Sequence, residues 1–124
     1  MDVTQSILSE ITTYMKYAKF RPELNRRETW EELVTRNKEM HQLKFPQLKE
    51  EIEDAYKLVY DKKVLPSMRS LQFAGKPIEL NNARIFNCSF LPIDDWRSFS
   101  EIMFLLLSGC GVGYSVQKHH IRSE

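Results

Sequence analysis

No stretch of this 124-residue chain is long and apolar enough to cross a bilayer. The longest uninterrupted apolar run, Ile102 to Leu107, falls far short of the roughly 20 residues that a membrane helix needs. A surplus of either charge is also missing, since 18 Lys and Arg face 17 Asp and Glu, with both signs interspersed. A nucleic-acid footprint needs a basic patch or stripe, and none stands out. Neither a membrane nor a nucleic acid is therefore expected as a partner. The N-terminus alternates charged and apolar residues, so it does not read as a signal peptide. The expected location is the cytoplasm, or a host's cytoplasm if the chain is viral. There Cys88 and Cys110 are expected as thiols. Asn87-Cys88-Ser89 matches a glycosylation sequon but carries no weight without a secretory route. No CxxC or HxxxH spacing occurs, so Cys88, Cys110, His119 and His120 do not read as a zinc set, and no metal site is expected. No internal repeat or low-complexity segment is evident.

What is there begins with helices. The length allows one domain at most, with apolar and charged fractions ordinary for a globular protein. Asp2 can cap a first helix, with Gln5 in the capping-box position. Ile7, Ile11 and Met15 follow at helical spacing, and the helix should stop before Pro22. Thr29-Trp-Glu-Glu32 is a second capping box, opening a helix to about Leu43 with Trp30, Leu33 and Val34 on one face. Pro46 suits the first turn of a third helix, whose buried stripe should be Leu48, Ile52, Ala55, Tyr56 and Val59. The charges of these two helices read as solvated faces. From Val64 the chain reads as loop, with turn chemistry at Leu65 to Ser70 and at Gly75-Lys-Pro77.

From Ala83 the period changes. Phe86, Cys88 and Phe90 alternate with Ile85, Asn87 and Ser89, as in a strand. Asp94 or Asp95 can start a helix whose body, Phe99 to Leu107, is apolar nearly all round, which predicts burial on several sides. Gly109 should end it, and Val112 to Lys118 reads as a second strand. Two strands joined by a buried helix are expected as parallel neighbours in a larger sheet. A two-stranded sheet is marginal in water, so the fold is expected to be completed by another chain.

Cys88 has two readings. Composition favours a buried, inert thiol. Its polar neighbours Asn87 and Ser89 favour a redox thiol lining a pocket. Gly109-Cys-Gly-Val-Gly113 fails as a dinucleotide fingerprint, because a helix precedes it and a strand follows. It remains either a tight turn or a loop whose backbone approaches a ligand closely. Ser67, Arg69 and Ser70 form a polar loop able to hold phosphate, or simply an exposed loop.

Three stretches go further: Leu65-Pro-Ser-Met-Arg-Ser-Leu-Gln-Phe-Ala-Gly75, Asn81-Asn-Ala-Arg-Ile-Phe-Asn-Cys-Ser-Phe90 and Ser108-Gly-Cys-Gly-Val-Gly-Tyr-Ser-Val-Gln117. In this order they resemble the start of the catalytic domain of ribonucleotide reductases, with the closest likeness to the adenosylcobalamin-dependent (class II) ribonucleoside-triphosphate reductases. The resemblance covers nearly the whole chain. It implies an α/β fold: an N-terminal helical region, residues 1–63, then the first strand–helix–strand unit of a ten-stranded α/β barrel, residues 64–124. It implies reduction of ribonucleotides to deoxyribonucleotides by thiyl-radical chemistry, with adenosylcobalamin as cofactor and a thioredoxin-like reductant.

Residue by residue, Cys88 matches the first cysteine of the reducing pair. Ser70 matches a hydroxyl residue that helps hold the substrate phosphate, and Asn87 a residue that contacts the nucleotide. Gly111, Val112 and Gly113 match the loop whose backbone approaches it. Cys110 matches no catalytic cysteine. The family's Asn-x-Cys-x-Glu motif and the partner of Cys88 are absent from these residues, and most cobalamin contacts would lie beyond Glu124. Alone, Cys88 cannot complete a two-electron disulfide cycle. The expectation is thus an N-terminal reductase segment, inactive alone, that works with the remainder of the reductase. The alternative is a non-catalytic helical binding module derived from such an enzyme.

Overall fold

The chain opens with α1, Val3–Thr12, with Asp2 extended just ahead of it. The structure, a computed structural model, describes residues 2–121. It divides into two units, Met1–Lys76 and Pro77–Glu124. The helix starts where Asp2 placed it, but the Asp2 side chain makes no capping bond. Ile7, Ile11 and Met15 do share a helical spacing, yet all three are at least half exposed, because the core of this unit closes without them. A wide π-helical turn, Thr13–Tyr17, follows, closed by the Ala18 N–H donating to the Thr13 carbonyl. It swings Tyr17 onto the core. Strands β1, Phe20–Arg21, and β2, Arg26–Arg27, then pair antiparallel.

Helix α2, Trp30–Lys44, forms the centre of the first unit. Its capping box is made in full: the Thr29 hydroxyl accepts the Glu32 N–H at 3.3 Å, and the Glu32 carboxylate accepts the Thr29 N–H at 2.8 Å. A 3-10 turn at Pro46–Leu48 leads into α3, Lys49–Tyr60. Leu33 and Val34 from α2, and Tyr56 and Val59 from α3, form the core with Leu71. The expected α3 stripe is thereby narrowed. Ala55 and Leu48 are exposed and Ile52 is half-buried, since α2 covers only the Tyr56–Val59 line.

The region read as loop is partly helical. Helices α4, Met68–Phe73, and α5, Lys76–Leu80, replace the expected turns, with Gly75 at φ 92° between them. Leu71 is the reason: wholly buried, it draws its segment onto α2 as a helical turn.

In the second unit β3, Cys88–Pro92, and β4, Gly111–Ser115, pair in parallel as expected, with Cys88 opposite Gly111 and Phe90 opposite Gly113. Helix α6, Ser98–Leu107, connects them. Its end is a Schellman motif: the Cys110 N–H donates to the Leu105 carbonyl and the Gly109 N–H to the Leu106 carbonyl, with Gly109 at φ 86°. The helix starts later than Asp94 or Asp95, which instead accept bonds from the Ser98 hydroxyl and the Arg97 N–H. The expected all-round burial of α6 is not met. Ser98 is buried and Ile102 and Leu105 are half-buried, whereas Phe99, Met103, Phe104, Leu106 and Leu107 are exposed. Two strands can cover only one face of a helix. A short helix, α7, Lys118–Ile121, ends the described residues.

Candidate functional site

Strand pleating sorts the residues of the β3–β4 pair onto two faces. Ser89, Leu91 and Val112 are half-buried, and Cys88, Phe90, Gly111 and Gly113 are exposed. Cys88 therefore lies on the open face, in register with Gly111. The Asn87 carbonyl accepts the Gly111 N–H at 2.9 Å and fixes that register, while its side chain is exposed beside Cys88. The structure thus brings Asn87, Cys88, Gly111 and Gly113 together. Val112 adjoins them by its backbone, with its side chain on the other face.

The strand read as Val112 to Lys118 runs instead from Gly111 to Ser115, so Gly111 joins Gly113 in the strand, and of the three glycines of this stretch only Gly109 takes the left-handed φ of a turn. A Cβ at Gly111 would meet only the Asn87 carbonyl at 3.5 Å, and one at Gly113 only the Phe90 ring at 3.6 Å and the Ser89 carbonyl at 3.8 Å. These are ordinary contacts. Neither backbone strain nor packing among the described residues demands glycine there. What two bare positions beside a thiol do provide is a strip of open backbone that a ligand can lie against.

Cys110 is kept apart from Cys88. It stands one position before Gly111, so it falls on the covered face, where its thiol lies 3.4 Å from the Ser89 hydroxyl and is buried. The two cysteines project from opposite faces and are not geometrically a disulfide pair.

Ser70 belongs to the first unit. It lies in α4 together with Arg69, so the polar loop read from sequence is a helical turn. Its hydroxyl accepts the Asn37 side-chain N–H at 2.9 Å. Behind Asn37 stand Tyr56, whose hydroxyl donates to the Asn37 side-chain oxygen, and His41, whose Nδ1 lies 2.8 Å from the Asn37 carbonyl and 3.1 Å from the Tyr56 hydroxyl. Burial pushes the Tyr56 hydroxyl up to about 12, so it stays protonated at neutral pH. Sequence reasoning missed Asn37. The available signal was a polar residue four positions after Leu33 on the apolar face of α2.

A buried ion pair holds the segment that carries Ser70. Glu28, only 2% exposed, accepts both arms of the Arg36 fork at 2.8 and 2.9 Å, and the Lys19 N–H at 3.1 Å. Arg36 and the Lys19 ammonium both donate to the Ala74 carbonyl just after α4, at 2.9 and 2.8 Å. Burial alone would raise the Glu28 carboxyl. The Arg36 fork and the Lys19 N–H outweigh it and hold the group below the usual carboxylate range. The reading of α2 charges as solvated is thereby corrected at Arg36, whose side chain is largely buried against Glu28.

Among the described residues no three or more His, Cys, Asp or Glu gather as a metal site. No described helix is long and apolar enough to cross a membrane.

No family model matches the chain, and no curated protein matches it. A solved structure does: the crystal structure of a B-12 dependent (class II) ribonucleotide reductase, with a TM-score of 0.75 and 28% sequence identity. The match covers 91% of this chain and 20% of that one. The chain thus spans about a fifth of the length of that reductase. The likeness supports a related origin and an oxidoreductase lineage.

Proposed function

We propose that this chain is the N-terminal part of a ribonucleotide reductase that makes deoxyribonucleotides for DNA synthesis, with ribonucleoside triphosphates as substrates. The observation that carries this reading is the open-face cysteine. Cys88 stands exposed beside Asn87 and two bare glycines, in a chain 28% identical to a B12-dependent reductase over most of its length.

In this reading the sugar lies against the Gly111–Gly113 backbone, with Cys88 beneath it and Asn87 at its edge. Ser70 donates to a substrate phosphate. Cys88 and a second cysteine, from outside these residues, each give up one proton and one electron. The ribose 2′-oxygen leaves as water, the 2′-carbon gains hydrogen, and the two sulfurs join as a disulfide. A thioredoxin-like donor reduces that disulfide by thiol exchange, which requires an accessible sulfur, and Cys88 meets that requirement.

Adenosylcobalamin is the cofactor implied by the lineage. Three clefts described in the first unit, of about 540, 420 and 380 Å³, are each small for a corrin bearing its adenosyl group, and in this reading most of its contacts come from outside these residues. No step assigned to this chain runs through the cofactor. The remainder of the reductase would hold it, along with the Asn-x-Cys-x-Glu motif.

The test is reconstitution. This chain is mixed with the reductase portion carrying that motif, adenosylcobalamin and a thioredoxin-like reductant, and deoxyribonucleotide is measured. Turnover should need the chain, should vanish with Cys88→Ser and should persist with Cys110→Ser. Turnover that survives Cys88→Ser overturns the redox role. Turnover that does not need the chain favours the non-catalytic helical module.

A further inference from the structure

The hydrogen bonds behind Ser70 have a direction that can be worked out from the atoms that can only accept. The Asn37 backbone carbonyl is such an atom, and His41 Nδ1 lies 2.8 Å from it. Nδ1 must therefore carry a proton. Facing that N–H, the Tyr56 oxygen at 3.1 Å accepts, and its own O–H goes to the Asn37 side-chain oxygen. That fixes the amide orientation, so the Asn37 NH₂ points at the Ser70 hydroxyl, 2.9 Å away. Ser70 is left as an acceptor toward α2. Its own O–H is not taken by any acceptor among the described residues.

Asn37 is wholly buried, so it cannot swap this partner for water. The chain of bonds is anchored in both core helices and ends at the rim of a cleft of about 420 Å³, whose lining includes His41, Tyr56, Ser67 and Ser70, with the Glu51 carboxylate and Ile52 also on its wall. A hydroxyl alone is ambivalent, able to donate or accept. Here one of its two lone pairs is occupied from within, and the O–H is the group that the internal bonds leave over.

We propose that Asn37 is a positioning residue that fixes the Ser70 hydroxyl as a hydrogen-bond donor to a phosphate oxygen of the ribonucleotide. Tyr56 and His41 hold Asn37 in that orientation. The inference rests on the assignment of Ser70 to the substrate phosphate. Its ligand chemistry is a hydrogen-bond acceptor such as a phosphate oxygen, toward which the uncommitted O–H is turned.

The test is steady-state kinetics of the reconstituted reductase. Ser70→Ala should raise KM for the ribonucleotide about tenfold with kcat within twofold, as loss of one bond to a charged group implies. Asn37→Asp turns the inner partner into an acceptor, captures the Ser70 O–H and should raise KM about as much. The double variant should be no worse than Ser70→Ala alone, because both changes remove the same bond. Purely structural damage would instead multiply. If Asn37→Asp does not fold, Tyr56→Phe keeps the packing, frees the Asn37 amide to turn over and should raise KM about threefold.

A KM unmoved by Asn37→Asp, or by Tyr56→Phe in its place, while Ser70→Ala raises it, overturns the positioning role and leaves the Ser70 assignment standing. A multiplicative double variant overturns it too. An unmoved KM in Ser70→Ala overturns both, and absence of turnover in the unaltered mixture removes the proposed function with them.

Discussion

Leu33, Val34 and Leu71 of the first unit are wholly buried, whereas Trp96, Phe99 and Leu107 of the second are 75%, 64% and 79% exposed. The contrast extends to polar groups. In the first unit Glu28, Arg36 and Asn37 are withdrawn from water and each finds strong partners nearby. In the second, the buried polar groups are uncharged serine hydroxyls: Ser98, which donates to the Asp94 carboxylate, and Ser108, which donates to the Phe104 carbonyl and accepts from Asn81. Helices can finish a core with a few neighbours, but a parallel sheet is normally covered on both faces. The two strands here cover only the Ser98–Ile102–Leu105 side of α6. The first unit thus looks like a finished helical layer, and the second like one repeat of a larger α/β arrangement. In the proposed function, the remainder of the reductase would cover what the second unit leaves open.

The sharpest way to break that comparison is to damage the first core. Leu71→Ala should destabilise the first unit by about 3 kcal/mol, within the usual range for a buried leucine. Trp30 is half-buried in that unit and Trp96 lies in the other, so a Trp96→Phe chain makes fluorescence in urea report the first unit alone. A midpoint unchanged by Leu71→Ala would mean the first core is not closed.

The Glu28–Arg36 pair comes next. Glu28→Gln leaves the Arg36 guanidinium short of its counter-charge, and should destabilise the unit by about 2 kcal/mol, below the full value for a sealed pair because Arg36 keeps some solvent. The same pair sets an acid response. Glu28 is held below its ordinary value in the folded chain, so its contribution is complete above the unfolded carboxylate range and fades as pH falls through the folded value. Urea midpoints should drop on acidification more steeply in the unaltered chain than in Glu28→Gln. Parallel pH curves would show that the pair carries no linkage.

A smaller effect is expected at the capping box. Thr29→Ala removes the acceptor for the Glu32 N–H and should lower stability by about 1 kcal/mol. Glu32 is pulled down to about 2, first by the Arg26 fork and then by the Thr29 N–H, so it stays charged at the helix start in either chain. The loss should therefore be independent of pH between 5 and 8, roughly the span where no carboxylate titrates.

The capping box, the Gly109 stop and the parallel strand pair were all legible, because each rests on residues a few positions apart or on a strand–helix–strand order. What stayed hidden depends on partners distant in sequence. Arg36 read as a surface charge until Glu28, from just ahead of α2, and the Ala74 carbonyl, just after α4, take up its donors. Pro66 and Ser67 announced a turn, but the buried Leu71 decided for a helix. Gly111 suggested a loop by composition, yet its register with Cys88 makes it a strand residue beside Gly113. At the site, Cys88 was legible only through resemblance, and the strand geometry then set its exposure apart from that of Cys110. Asn37 was signalled only as a polar residue on the apolar face of α2, and nothing in its neighbourhood announces Ser70.

The smallest expected effect tests the other half of the comparison. Phe99 in the first turn of α6 and Leu107 at its last position are large apolar side chains, and in a finished fold either would be a core residue. Here both are mostly in water, so replacing Leu107 with serine forfeits little burial and should change the isolated chain's stability by less than about 0.5 kcal/mol. The Trp30→Phe chain, with Trp96 as reporter, follows the second unit for this purpose. The same substitution should reduce binding of a hydrophobic dye, because it breaks a contiguous exposed patch. In the reconstituted reductase it should act the other way and weaken association with the remainder of the protein, since a serine would then be buried. A large loss of stability in the isolated chain would show that α6 already packs its outer face within these residues. The second unit would then be as finished as the first, and the argument for a missing sheet would fall on the measurement meant to show the least.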